Sequence, residues 1–192
     1  PVKQAFLGIP REEFVPESLR DKAYIDTPLQ IGSGQTISAP HMIAIMCEEL
    51  DLEPEQKVLE IGTGSGYHAA IVSRIIGELG HLYSVERHED LAENARENLQ
   101  RTNIENVSVE VGDGSRGLQE YEPYDRIYVT CAAPDIPLPL KEQLGANGKI
   151  LIPVGRKLCE LKKFIKENGN TSTKSLGGCA FVPLIGKYGH DY

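Results

Sequence analysis

The chain has 192 residues, a formal net charge of −8, 40% hydrophobic and 25% charged residues. This size predicts one domain, and this composition predicts a soluble globular protein able to bury its own core. No apolar run approaches the roughly 18 residues that cross a bilayer, no signal peptide is visible, and the acidic balance argues against nucleic-acid partners, which usually meet a basic stripe.

The chain opens on Pro1, and Ala5-Phe6-Leu7 reads as the tail of a helix, so the native protein is expected to begin earlier. Up to about residue 38, Pro10, Pro16, Pro28 and Gly32-Ser33-Gly34 predict short helices joined by extended loops. Residues 40–50 are helical, with Ile43, Met46, Cys47 and Leu50 on one face. Pro40 suits the first helical position, where its missing N–H costs nothing. An alternation follows: a strand at 57–61, a helix at 69–79 with Ala69, Val72, Ile76 and Leu79 inside, and a strand at 81–85. Next come a helix at 90–100 with Leu91, Ala95 and Leu99 inside, then strands at 107–111, 124–130 and 149–154. Strands alternating with helices predict an α/β fold: a Rossmann-like, doubly wound, mostly parallel sheet with helices on both faces. Such sheets bind ligands beyond the carboxyl ends of their strands.

In the tail, Asn168-Gly169 between apolar runs is a hairpin signal, so late antiparallel strands are expected at one sheet edge. Lys157, Lys162, Lys163 and Lys166, broken by Glu160 and Glu167, read as a solvated face. Cys47, Cys131, Cys159 and Cys179 form no CxxC pair. Three lie in apolar surroundings and read as packed, reduced thiols, as in the cytoplasm.

The sharpest local feature is Glu60-Ile61-Gly62-Thr63-Gly64-Ser65-Gly66, which follows a strand and opens a helix. Its G-x-G-x-G spacing fits poorly with the G-x-G-x-x-G that seats a pyrophosphate. It resembles motif I of class I S-adenosylmethionine-dependent methyltransferases, whose loop carries the methionine part of the cofactor. By itself a glycine loop is equally readable as a bare turn. Its companions are Glu86 at the end of the next strand, placed to accept from ribose hydroxyls, and Gly112-Asp113-Gly114 after the third, where Asp113 can accept from the adenine amino group and Gly114 makes room for the ring. Each has an ordinary alternative, a surface glutamate and an Asp-Gly turn. Their joint occurrence at successive strand ends supports a cofactor site. Glu60 would stand near the sulfonium, where a carboxylate is favourable.

The acceptor is narrowed by what is missing. After the fourth strand stands Thr130-Cys131-Ala132-Ala133-Pro134, which lacks the Asn/Asp-Pro-Pro-aromatic segment of nucleobase amine methylation. Nothing there supplies carboxylate or amide ligands for a metal, and His41, His68, His81, His88 and His190 show no metal-ligand spacing. A carboxylate acceptor needs no base, since it is already ionised at pH 7. Gly34-Gln35-Thr36-Ile37-Ser38-Ala39-Pro40-His41 puts two hydroxyls before a helix N-terminus, which favours an anion. Locally, helix capping is the simplest reading of Ser38, and His41 reads as structural.

Several segments together resemble the protein-L-isoaspartate O-methyltransferase family: Tyr24-Ile25-Asp26-Thr27-Pro28-Leu29, the segment 34–42, the loop 60–66, Gly112-Asp113-Gly114, Ile152-Pro153-Val154-Gly155 and Phe181-Val182-Pro183-Leu184-Ile185-Gly186. They run in order along nearly the whole chain. The resemblance implies methyl transfer from S-adenosylmethionine to the α-carboxylate of L-isoaspartyl residues in damaged proteins and peptides, leaving S-adenosylhomocysteine, with no metal. It implies that Ser38 is the active-site serine, that Thr36 and Ile37 border cofactor and substrate, and that the segment around Val182 lines the acceptor groove. The expected cofactor residues are thus Thr36, Ile37, Glu60, Gly62, Thr63, Gly64, Ser65, Gly66, Glu86, Asp113 and Gly114. Between Val154 and Phe181 the chain departs from the family pattern: the stretch opens Gly155-Arg156-Lys157-Leu158-Cys159-Glu160-Leu161, is shorter than expected and lacks the usual Gln-Glu pair.

The expected organisation is one domain, 1–192, with a lid segment (1–50), a cofactor core (51–155) and C-terminal edge strands (156–192). It is expected to be a cytoplasmic monomer acting on proteins, with no membrane or nucleic-acid partner. The rival readings are a small-molecule or nucleic-acid methyltransferase on the same fold and a nucleotide-binding module without catalysis. Asn147-Gly148 and Asn168-Gly169 are prone to succinimide formation, so the aged chain could become its own substrate.

Overall fold

The computed structural model describes residues 1–156 and 158–191. Helix α1 (Val2–Gly8) leads through 3-10 turns at Arg11–Phe14 and Glu17–Lys22 to an antiparallel hairpin of β1 (Leu29–Gly32) and β2 (Gln35–Ile37). The hairpin was not expected. The glycines that signal a loop at 32–34 make its turn, and the strands are too short to show an alternation. Helix α2 (Pro40–Glu49) begins on its proline and buries Ile43, Met46 and Cys47.

The predicted alternation follows as β3 (Lys57–Ile61), α3 (Tyr67–Ile76), β4 (His81–Glu86), α4 (Glu89–Arg101), β5 (Val107–Val111) and β6 (Tyr124–Val129); a short α5 (Leu138–Gln143), which was not expected, precedes β7 (Leu144–Gly155). Helix α3 stops three residues earlier than its periodicity suggests, because Gly77 takes φ 72° and turns the chain away. Leu79 is therefore 80% exposed rather than in the core.

The tail forms β8 (Cys159–Glu167) and β9 (Asn170–Cys179), joined through Asn168 and Gly169, both at positive φ. Lys163 corrects the solvated reading of its cluster. It is 9% exposed, and its Nζ reaches Asp51 at 3.1 Å and Glu49 at 3.4 Å. Lys157 of that cluster lies outside the described residues. All four cysteines are free, and Cys47, Cys131 and Cys159 are buried.

The main sheet has the order β5-β4-β3-β6-β7-β8-β9. Strands β5 to β7 are mutually parallel, and β8 and β9 run antiparallel at one edge. Apolar side chains pack on both faces. One core gathers α1 to α4 with Val58, Leu82 and Tyr128; the other gathers Leu59, Ile61, Ile127 and Leu140 of α5. Strand order reverses beside β3, with β4 on one flank and β6 on the other, which leaves a crevice at their carboxyl ends. No helix among the described residues is long and apolar enough to cross a membrane.

Asn106 fixes the turn that delivers β4 to this crevice. Its Nδ2 donates to the carbonyls of Gly77 (2.8 Å) and Gly80 (3.1 Å), and its Oδ1 accepts from Ser73 Oγ (2.5 Å). Asn106→Ala should destabilise the protein by about 1–3 kcal/mol, read as a lower urea midpoint with an unchanged slope.

Candidate active site

The carboxyl ends of β3, β4 and β6 open onto a cleft. Its floor is the glycine loop, residues 61–65, with Tyr67 and His68 of α3. One wall is Val85 to His88, the end of β4 and the two residues after it, with Gly114 beyond. Residues 35–38 and Ile43 overhang it from the N-terminal segment, and residues 182–185 close the far side beside Thr130 and Cys131.

The main chain of the loop is held by one backbone and three side-chain partners. Gly62 donates its N–H to Val85 O at 2.8 Å, and its own carbonyl accepts from Thr130 Oγ1 at 2.6 Å. Gly62 has φ 94°, and a Cβ there would lie 2.4 Å from that hydroxyl, so only glycine fits. Gly64 N–H donates to Glu86 Oε2 at 3.0 Å, and Asn98 Nδ2 donates to Ser65 O at 3.0 Å.

Glu86 is 5% exposed, and its Oε1 accepts the N–H groups of Arg87 (2.9 Å) and His88 (3.0 Å). A carboxylate offers about four acceptor positions. Three are filled by backbone, which leaves capacity for a hydroxyl of a ligand in the cleft that Glu86 lines.

Glu60 does not line the cleft. It is fully buried beneath the loop on the α3 side of the sheet. Ser84 Oγ donates to its Oε2 at 2.5 Å, and Thr63 Oγ1 stands 2.5 Å from that Ser84 oxygen. Glu60 Oε1 and the Tyr128 hydroxyl are buried without a hydrogen-bond partner within reach, though each group feels the other electrostatically. Burial pushes the Glu60 carboxyl up to about 8 against the opposing bond from Ser84 and the influence of the nearby Tyr128 hydroxyl, and the charge of Glu86 adds to the rise. Glu60 thus reaches the cleft only through Ser84 and Thr63.

Asp113 also stands behind the cleft, whose lining at this turn is Gly114. Its Oδ1 accepts from Ser115 N (3.0 Å) and Oγ (2.6 Å), and its Oδ2 accepts from Lys187 N (2.9 Å). Burial alone would raise this carboxyl, but these bonds outweigh it and hold it below its ordinary value. Gly186 makes the contact possible, since a Cβ there would lie 1.9 Å from Asp113 Oδ1. Gly66, at φ 85°, caps α3 and likewise stays out of the lining.

Ser38 lines the cleft and is not a cap. Ala39 occupies the N-cap of α2, and no side chain caps that helix. Ser38 is positioned through its carbonyl, which accepts from Arg11 Nη2 at 2.7 Å. Arg11 is wholly buried; its Nε donates to Ala23 O at 2.7 Å, and its guanidinium lies 4.9 Å from the Tyr67 ring centroid. His41 is exposed and meets Asp26 Oδ1 at 2.9 Å through Nδ1 and 3.0 Å through its backbone N–H. Residues 182–184 run beside Ala132, whose N–H donates to Val182 O at 2.7 Å while Leu184 N–H donates back to Ala132 O at 2.8 Å.

The cleft therefore gathers Thr36, Ile37, Ser38, Gly62, Thr63, Gly64, Ser65, Glu86, Gly114 and Val182, while Glu60, Gly66 and Asp113 support it from behind. Sequence reasoning missed Ile43, His68, Arg87, His88 and Cys131. Arg87 and His88 could have been found as direct successors of Glu86; His68 carries no such signal. Among the described residues no cluster of His, Cys, Asp and Glu is arranged to hold a metal ion.

Comparison with known proteins agrees with this geometry. The family model for protein-L-isoaspartate(D-aspartate) O-methyltransferase matches residues 1–189. A protein-L-isoaspartate O-methyltransferase of Methanococcus aeolicus is 53% identical, over 98% of this chain and 87% of its own. Among solved structures, a protein-L-isoaspartate O-methyltransferase superposes with a TM-score of 0.89 at 35% identity, and the match spans 98% of this chain and 62% of that longer one. A Plasmodium falciparum structure described as a beta-aspartate methyltransferase in complex with S-adenosyl-L-homocysteine gives 0.86 at 28% identity, over 96% and 89% of the two chains.

The buried Glu60 predicts a pH signature. The folded chain keeps a proton up to about 8 that the unfolded chain gives up near its ordinary 4.5. Its contribution to stability is full below 4.5 and is lost progressively up to about 8. Glu60→Gln should therefore gain stability relative to the unsubstituted protein as pH rises from 5 to 8, measured by urea unfolding at each pH. A pH-independent difference would mean Glu60 is ionised in the fold.

Proposed function

The chain belongs to the protein-L-isoaspartate(D-aspartate) O-methyltransferase family, and from that membership we propose how its cleft does the work. The activity is methyl transfer from S-adenosylmethionine to the α-carboxylate of L-isoaspartyl residues. The observation that carries the proposal is the meeting, in one cleft, of a backbone-pinned glycine loop, a buried Glu86 with spare acceptor capacity and the overhanging Ser38.

The residues fit the cofactor. Glu86 would take the ribose hydroxyls, Gly114 and the neighbours of Glu86 would flank the adenine, and residues 62–65 would carry the amino-acid end. Bound there, the sulfonium supplies an electrophilic methyl group. Ser38 and the adjoining backbone aim the acceptor carboxylate, which is already ionised and needs no base. Holding two reactants in line can contribute about 7–11 kcal/mol. Placing Glu60 out of contact also suits the chemistry, because a group that bound the sulfonium charge tightly would oppose its loss in the transition state. In the product, the ester leaves more readily than the carboxylate, so the neighbouring backbone nitrogen can close a succinimide whose hydrolysis restores some normal aspartyl linkage.

The single domain divides by role into a lid (1–50), a cofactor core (51–155) and edge strands (156–192). The overhang of residues 35–38 supports the first part. An extended peptide would lie against Val182, which pairing with Ala132 holds in place. The free, buried thiols support a reducing cytoplasm, and the reading is of a monomer acting on proteins rather than nucleic acids.

One peptide prepared with isoaspartyl or aspartyl linkage and incubated with labelled cofactor should take label only in the isoaspartyl form; equal labelling would favour a less selective methyltransferase. Ser38→Ala should lower turnover at least tenfold while cofactor affinity, read by calorimetry, changes by less than about 1 kcal/mol. The reverse pattern would make Ser38 a cofactor ligand.

A further inference from the structure

His68 lies in the first turn of α3, two residues past the last glycine of the loop, and lines the cleft while 6% exposed. Its ring packs on Tyr128, with centroids 4.4 Å apart. Its Nε2 stands 3.5 Å from Cys47 Sγ. Burial pushes the Cys47 thiol well above its ordinary range, so the sulfur keeps its proton and can donate it to Nε2. With Nε2 as the acceptor, the ring proton sits on Nδ1, which has no partner among the described residues. Burial also pulls the imidazole down to about 3, so the ring stays neutral at physiological pH.

Packing does not call for this residue. An apolar side chain between Cys47 and Tyr128 would avoid the cost of burying an imidazole. What histidine adds is a ring N–H in the wall of a cleft that receives carboxylates, at the amino end of a helix whose dipole also favours an anion. The reaction brings in two carboxylates, one on the cofactor's amino-acid end and one on the isoaspartyl residue. With adenosine beside residues 86–88, the amino-acid end falls over the glycine loop and the start of α3. A neutral donor also suits that end, since a lysine or arginine would bring a second cation near the sulfonium.

We propose that His68 is a cofactor-binding residue, its Nδ1–H donating to the carboxylate at the amino-acid end of S-adenosylmethionine while the Cys47 thiol holds the tautomer. The assignment rests on the reading of the cleft given above.

His68→Phe keeps a ring against Tyr128 and removes the donor, and His68→Gln returns an N–H. Calorimetry with two probes separates a lost contact from a damaged fold. S-adenosylhomocysteine carries the amino-acid end; 5′-methylthioadenosine shares the adenosine and sulfur but lacks that end. His68→Phe should weaken S-adenosylhomocysteine by about 10- to 100-fold and leave 5′-methylthioadenosine within about twofold, and His68→Gln should recover part of the loss. At saturating cofactor, the KM for an isoaspartyl peptide should not change. Equal losses for both probes, or undiminished S-adenosylhomocysteine binding, would overturn the assignment. A raised peptide KM with cofactor affinity intact would give His68 to the acceptor carboxylate instead, and overturn it likewise. Unsubstituted protein that bound neither probe would sink the cofactor cleft itself, and the role of His68 with it.

Discussion

The Glu86 carboxylate, fastened by backbone N–H groups at the end of β4, is the constraint on which the site depends. One of its oxygens holds Gly64 of the loop that follows β3; the other holds the two amides that follow it in its own chain. A buried carboxylate without partners would cost several kcal/mol. Here the same bonds that offset that cost also set the shape of the loop. Because β3 and β4 are neighbours in parallel register, with Ile61 opposite Val85, the clamp closes across a single strand gap. The cleft is thus a product of sheet topology before any ligand enters it.

Around this clamp the chain separates contact from support. Groups that meet the cleft are mostly backbone and small side chains, while the charged groups behind them act through intermediaries. Glu60 reaches forward through Ser84 and Thr63, Asp113 anchors the C-terminal turn at Lys187 directly and at Tyr188 by way of Ser115, and Arg11 presents Ser38 by its carbonyl. Arg11 also links the N-terminal segment to α3 across the Tyr67 ring. The overhang is therefore tied to the same helix that carries the end of the glycine loop, which keeps acceptor and donor sides of the cleft in one frame.

Much of this was legible in the sequence, for identifiable reasons. The run from β3 to β5 could be read because short strands alternate with helices whose apolar residues recur at helical spacing, and the glycine loop because its backbone angles exclude other residues. Residues whose direction depends on remote partners were less legible. Asp113 looks like a ligand until Gly186 is seen approaching it from the far end of the chain. Lys163 looks solvated until β8 sets it beside Glu49 and Asp51. His68 sits at an ordinary helical position, and only the packing of α2 and β6 against it makes its ring unusual.

A crystal structure of the protein with S-adenosylhomocysteine tests the central claim most directly. The account predicts the ribose hydroxyls on Glu86, the adenine beside Gly114 and the sulfur over residues 62–65, with the bond between Glu86 and the Gly64 amide retained. Adenosine lodged elsewhere, or a Glu86 side chain turned away from both the loop and the ribose, would contradict it.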